Sequence, residues 1–277
     1  MTMHIDVMDL VAKLKSSEEA FVLATVVRTV SVTAAKAGAK AIIRPDGTIA
    51  AGWIGGGCAR GAVLRAATQS LRDGKARLVS IQPGDLLADL GVKPGEAREG
   101  VQFARNMCPS QGTMDVFIEP VLPRPTLVVF GASPVALALV SQARPLGFNV
   151  TLAAPMDDLV ETTDADHVVD GYGIDPDAPG ERYLVVSTQG RGDEAALKAA
   201  VAARADYIGF VGSHRKMAAL KQELAEDGVS LTALDHVKGP AGLDLGAITP
   251  EEIALSVLAE IISIRRRGQR DETAQQA

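Results

Sequence analysis

The chain has 277 residues, 47% of them hydrophobic and 4% aromatic, with a formal net charge of −6. That length suits one large domain or two ordinary ones, and the apolar content supports packed cores; few aromatics and 27 glycines favour tight α/β layers over a β-sandwich. No apolar run is long enough for a membrane span, the two cysteines (Cys58 and Cys108) form no disulfide framework or paired-cysteine zinc site, and four scattered histidines add no metal constellation, so a soluble cytoplasmic protein is expected.

Charge is unevenly spread. Residues 1–122 hold 14 Lys and Arg against 12 Asp and Glu, whereas residues 123–277 hold 14 against 22. Between Phe21 and Leu71, Arg28, Lys36, Lys40, Arg44, Arg60 and Arg65 stand against the single acid Asp46. A small anionic ligand suits that patch better than nucleic acid, which needs a broader basic face.

In chain order, Met1 to Leu14 reads as an amphipathic helix with Asp6 as N-cap, lacking the basic start and apolar core of a signal peptide. A strand is predicted over Phe21 to Arg28, a loop of small residues over Ser31 to Gly38, and a strand over Ala39 to Arg44. Pro45-Asp46-Gly47 is a turn that joins this strand to a β-type run ending at Ala51. Next comes Gly52-Trp53-Ile54-Gly55-Gly56-Gly57-Cys58-Ala59-Arg60-Gly61, and then Val63, Ala66, Ala67 and Leu71 at helical spacing until Gly74. Glycines at such a junction admit close approach of a ligand, and the helix start favours an anion. A thiol there, with Arg60 beside it, has a lowered pKa. The alternative is a tight turn around a small buried cysteine. Residues 82–109, punctuated by Gly and Pro, yield no predicted element.

A strand from Thr113 to Ile118 leads into Glu119-Pro120-Val121-Leu122-Pro123-Arg124-Pro125, a semi-rigid linker by composition. The expected organisation is an N-terminal mixed α/β domain (1–119), a linker (120–126), a second domain (127–267) and a disordered polar tail (268–277). In the second domain, strands at Leu127 to Phe130, Asn149 to Ala153, Tyr183 to Ser187 and Asp206 to Val211 alternate with helices at Pro134 to Ala143, Asp193 to Ala203, Ser213 to Glu226 and Pro250 to Arg267. The last helix opens with Thr249 and Glu252 as a capping box. Continuous apolar strands between helices predict a Rossmann-like, doubly wound parallel sheet.

The dinucleotide fingerprint expected at its first strand–helix junction is degraded. Gly131-Ala132-Ser133-Pro134-Val135-Ala136 keeps only the first of three glycines, and Pro134 removes an N–H donor. Ala153-Ala154-Pro155 stands where an acid would hold a ribose, with Asp157 and Asp158 too late for the usual geometry. An ordinary NAD site is therefore not expected.

The stretches Gly38 to Gly47, Gly55 to Val63, Cys108 to Pro120, Tyr207 to Lys216 and Pro240 to Ala254 together resemble the XdhC/CoxI-type accessory proteins, which mature molybdenum hydroxylases such as xanthine dehydrogenase and carbon monoxide dehydrogenase. The resemblance covers nearly the whole chain. It implies a chaperone that carries the molybdenum cofactor, as molybdopterin or its cytosine dinucleotide, to an apo-enzyme, with a cofactor-sulfurating or nucleotidyl-transferring enzyme as a further partner and a homodimer as an option.

On that reading, Gly55, Gly56, Gly57, Cys58 and Arg60, with Lys40 and Arg44, bind the cofactor. Cys58 supplies a thiolate or a molybdenum ligand, and Cys108 is a second candidate ligand. In the second domain, Gly131, Ser133, Gln189, Gly190 and Arg191 are candidates for the nucleotide or pyrophosphate, a structural turn being the other reading of Gly190-Arg191-Gly192. Departures from the family pattern are the degraded fingerprint, Cys108-Pro109-Ser110-Gln111-Gly112 in place of cysteine–glycine–glycine, and Thr188 to Gly192 where histidines are common. An NAD(P)-dependent oxidoreductase and a Cys58-dependent sulfurtransferase are the alternatives.

Overall fold

The computed structural model describes residues 6–109, 111–159, 163–178 and 180–274, excepting the side chains of Cys58 and of 267–274. The chain divides into two compact units, Met1–Pro123 and Arg124–Ala277.

The first unit comprises α1 (Val7–Ser16), β1 (Phe21–Val30), β2 (Lys40–Ile43), β3 (Ile49–Gly52), α2 (Gly57–Asp73), β4 (Arg77–Gln82), α3 (Gly84–Asp89), β5 (Ala97–Arg98), β6 (Val101–Arg105) and β7 (Thr113–Val121). Its seven strands form one mixed sheet in the order β3-β2-β1-β7-β4-β6-β5, antiparallel except for β4 against β6. Alternate residues Val22, Ala24 and Val26 of β1, Ala41 and Ile43 of β2, and Met114, Val116 and Ile118 of β7 face α2, which contributes Val63, Ala66 and Ala67 to the core. The opposite face meets α1 through Phe21, Ile42, Leu10 and Leu14. Asp6 caps α1, accepting from the Met8 amide at 2.7 Å.

Residues 82–109, without a sequence signal, hold α3, β5 and β6. β7 runs to Val121 and pairs Pro120 with Val22, so the strand claims residues expected in the linker. Pairing of β7 with β4 stops at Ile118, which leaves Pro120 at a strand end with one neighbour, where a missing N–H costs least.

The second unit comprises β8 (Thr126–Phe130), α4 (Pro134–Ala143), β9 (Asn149–Ala154), β10 (His167–Asp170), β11 (Arg182–Val186), α5 (Asp193–Ala202), β12 (Tyr207–Phe210), α6 (His214–Glu226), α7 (Leu231–Asp235), β13 (Val237–Lys238) and α8 (Pro250–Ala274). All six strands are parallel, in the order β10-β9-β8-β11-β12-β13. This is the doubly wound arrangement, reversing direction between β8 and β11. In β8, Leu127 and Val129 pack with α4 and α8, while Val128 and Phe130 pack with α5 and α6. Both faces are thus buried, as a continuously apolar strand requires. The capping box at α8 is reciprocal, with Thr249 Oγ accepting from the Glu252 amide at 3.3 Å and Glu252 Oε2 from the Thr249 amide at 3.0 Å. α8 continues to Ala274 through residues expected as a disordered tail, because a lone glycine such as Gly268 costs a helix only about 1 kcal/mol.

Candidate functional site

Two hollows, one in each unit, each gather part of the predicted set. In the first unit, Gly52 ends β3 and the Trp53 amide donates to the Lys40 carbonyl at 2.9 Å. Gly55 has φ +106°, a left-handed value that favours glycine, and Gly56 is the N-cap of α2. No side chain caps this helix, and its first turn carries no acid, so the leading N–H groups keep their positive character. Cys58 is the second residue of the helix; its side chain lies outside the described set.

A hollow of about 250 Å³ opens at this helix start, walled by Gly55, Gly57, Ala59, Ile81, Cys108 and Met114 among others. Asn106 shapes its far side: its amide Nδ2 donates to the Gly112 carbonyl at 2.6 Å, and its Oδ1 accepts from the Cys108 amide at 2.9 Å. The glycine loop and Cys108, 50 residues apart in sequence, therefore share one cavity.

The other basic candidates do not join them. Lys40 donates from Nζ to Thr25 Oγ1 at 3.1 Å, on the sheet face opposite α2. Arg44 lies at the turn end of the β2–β3 hairpin, where its carbonyl accepts from the Gly47 amide at 2.9 Å. Arg60 is exposed on the first turn of α2, outside the cavity wall. Among the described residues, no three His, Cys, Asp or Glu side chains are grouped to hold a metal ion.

In the second unit a hollow of about 160 Å³ lies at the carboxyl ends of β8 and β11, walled by Gly131, Ser133, Gln189 and Arg191, with Asp158 and Tyr172. Gly131 has φ +101°, and a Cβ there would sit 2.6 Å from the Ser187 carbonyl oxygen, so β8 and β11 can close at this point only around a glycine. Ser133 Oγ caps α4 by accepting from the Ala136 amide at 3.2 Å and lies 2.8 Å from Ser187 Oγ.

The loop 188–193 is tied by Asp193, which accepts from Thr188 Oγ1, from the Gly190 amide at 3.1 Å and from Lys216 Nζ at 2.5 Å. Burial alone would raise the Asp193 pKa, but these donors hold it below the ordinary carboxyl value. Gly190 thus serves the loop's own hydrogen bonding, while Arg191 reaches the hollow.

The sequence puts Asp158 too late for the usual ribose-binding geometry. After Pro155 a short 3-10 turn over Met156–Asp158, fixed by donation from the Met156 amide to Asp170 Oδ1 at 3.0 Å, sets Asp158 in the wall of the hollow. There its Oδ1 lies 3.1 Å from Arg191 Nη1. Tyr172, also missed, donates its hydroxyl to the Arg191 carbonyl at 2.8 Å. Burial first, then Asp158 and Asp193, raise its phenol pKa. Only the position of β10, itself unpredicted, could have revealed it.

A family model described as the XdhC Rossmann domain matches residues 127–261, and one described as the XdhC and CoxI family matches residues 14–82. The second-unit hollow falls within the first match and the glycine loop within the second, while Cys108 falls in neither. The uncharacterized protein YqeB of Escherichia coli (strain K12) is 29% identical over 269 residues, covering 93% of this chain and 46% of that relative. A relative from Bacillus subtilis (strain 168), named as a probable xanthine dehydrogenase subunit, is 28% identical over 166 residues, covering 56% and 47%. The chain spans about half the length of these curated relatives. A solved structure named a xanthine dehydrogenase, from Bacillus halodurans, aligns over 95% of this chain and 96% of its own, at 20% identity and a TM-score of 0.46.

Proposed function

The chain belongs to the XdhC and CoxI family, and from that premise we propose that it is an accessory protein that binds a molybdenum–pterin cofactor as cargo and delivers it to an apo molybdenum hydroxylase of the xanthine dehydrogenase kind. The observation that carries this reading is the cavity shared by the glycine loop and Cys108. Ile81, Met114 and Val32 give it apolar walls suited to a flat pterin ring. The uncapped start of α2 offers the amides of Gly57, Cys58 and Ala59 to the cargo's phosphate. A thiol at the second helical position is biased toward thiolate, which suits Cys58 to a role at molybdenum or in sulfur exchange, with Cys108 in the cavity wall as the second candidate. The Bacillus subtilis relative, by its name a component of xanthine dehydrogenase, supports the same partner class.

The test is to purify the protein from cells that make the cofactor and to extract and identify what accompanies it. A pterin phosphate or pterin dinucleotide near one per chain, transferable to an apo-hydroxylase with gain of its activity, is expected. Protein free of pterin from such cells, with no effect on apo-enzyme activation, overturns the reading.

A further inference from the structure

We propose that the enzyme receiving the cargo docks over the opening of the glycine-loop cavity, seating an apolar patch on Val32, Trp53 and Met107 and an acidic rim on Lys36, Arg60 and Arg105. The inference rests on the cargo reading and adds to it the face through which the cargo leaves.

The cavity has a floor and an opening. Ile81 and Met114 line it and are buried, whereas Val32, Gly57 and Cys108 line it and are exposed. The hollow therefore meets solvent where the segments carrying these three residues come together. Two of those segments are joined by the bridge between Val32 and Gln111, and a Cβ at Gly112 would collide with the Val32 carbonyl oxygen. Trp53 precedes the wall residue Gly55 by two positions, and Met107 sits between the wall residues Asn106 and Cys108. Both are thus within about 7 Å of the wall along the chain.

Three large apolar side chains stand in water at this opening: Val32 is 70% exposed, Trp53 55% and Met107 73%. Exposure forfeits the stabilisation that burial of such side chains brings. Tryptophan and methionine are enriched at protein interfaces, and tryptophan is frequent among the residues that dominate binding energy. The backbone anchors Trp53 through its amide on the Lys40 carbonyl, which leaves the indole for a partner.

Charge selects the kind of partner. Residues 31–38, 53–60 and 104–112 carry Lys36, Arg60 and Arg105 and no acid, in a chain whose net charge is −6. All three cations are exposed. A second copy of this chain docked here about a two-fold axis would set like charges against each other, which opposes the contact. An apo-enzyme that takes cargo directly from the hollow closes over its opening, and acidic groups around its own entrance complement these cations. Apolar contacts in that ring exclude water from the passage.

For the test, the full chain is prepared with its single tryptophan as fluorotryptophan, and the acceptor is the unlabelled apo-hydroxylase that the wild-type protein activates. The one fluorine resonance should shift or broaden when that apo-enzyme is added, and stay in place with serum albumin at the same concentration. A protein carrying Trp53→Ala and Met107→Ala, with unchanged melting temperature, should retain pterin as the wild type does. It should need about tenfold or more apo-enzyme for half-maximal delivery, with the maximal rate kept. Lys36→Glu, on an exposed loop, should also raise that concentration and weaken its dependence on salt.

A resonance that apo-enzyme leaves unmoved, or a double variant that delivers like wild type at every apo-enzyme concentration, overturns the docking face. So does a double variant that loses pterin in proportion to delivery, because the side chains then hold cargo. A resonance that moves with the protein's own concentration, while gel filtration shows a dimer, overturns it in favour of a second copy over the opening. Each of these results leaves the cargo reading standing. A wild-type protein that carries no pterin and activates no apo-enzyme defeats the cargo reading, and this inference with it.

Discussion

At the scale of single residues, position on an element decides which of several similar side chains acts. Cys58 and Cys108 stand on quite different backbones: Cys58 follows an uncapped helix start, whereas Cys108 lines the cavity from a loop held by Asn106. Cys58 is therefore expected to react with iodoacetamide faster than Cys108 near neutral pH, with a kinetic pKa below the ~8.5 of a free thiol. Bound cofactor should protect it, and peptide mapping of the labelled sites checks both points. Cys58→Ser should fold normally and deliver less cofactor; wild-type delivery by that variant would remove the thiol from the function.

Among the cations, Arg60 lies on the first turn of α2 and the Lys40 amine lies across the sheet on Thr25. Arg60 lies outside the cavity wall and acts on the cargo only as an exposed charge near the helix start, so Arg60→Ala should weaken cofactor retention by at most about 1 kcal/mol. Lys40→Ala should leave retention unchanged. Equal losses in the two variants, measured by pterin content after gel filtration, would show that diffuse charge and not the helix start holds the cargo. The sequence gives both residues the same charge, but strand alternation sends Lys40 to the other face.

At the scale of elements, the second unit is held at points where two segments approach too closely for any side chain or share one buried carboxylate. Gly131→Ala should destabilise this unit by about 1–3 kcal/mol from backbone strain alone, with the Cβ clash against Ser187 adding to it. A denaturant midpoint equal to wild type would contradict that account. Glu260, buried on α8, accepts from the Tyr207 hydroxyl at 2.7 Å and the Gly242 amide at 2.8 Å, and pairs with Lys238. The two longest family-like stretches of the second unit, around Tyr207 and around Gly242, are thereby joined by a third residue outside both. Glu260→Ala strands these donors and should cost about 1–3 kcal/mol, read in the same denaturation experiment. Capping residues were legible because their partners lie three residues away, as with Thr249 and Glu252. β10 and β13 were not, being four and two residues long and defined only by their parallel neighbours.

At the scale of the molecule, the second unit should respond to acid through its buried carboxyls. In the second unit Asp193, Asp166 and Glu260 have pKa values lowered in the fold, burial opposing the shift in each, with Lys216, the Val150 amide and Arg124, and Lys238 among the groups that outweigh it. A carboxyl with a depressed folded pKa contributes stability above its unfolded value of about 4 and loses it as pH falls through the folded one, because the unfolded chain binds more protons across that window. The second unit should therefore lose stability from about pH 4 downward. Asp193→Asn, with part of that linkage removed, should show a shallower decline in urea midpoint than wild type. An unchanged slope would remove Asp193 from the acid response.

The sequence by itself determined what depends on local spacing: the α/β class, the parallel second unit, the glycine loop before α2, and the caps of α1 and α8. Hydrophobic period and capping distance are local, and this chain keeps both. Only the tertiary structure decided which distant residues meet. It set Cys108 in the glycine-loop cavity, parted Lys40 and Arg44 from it, and turned Asp158 into the crevice beside Arg191. Those outcomes follow from strand order and from a single turn after β9, and the pairing of strands far apart in sequence leaves no periodic trace in the residues that it brings together.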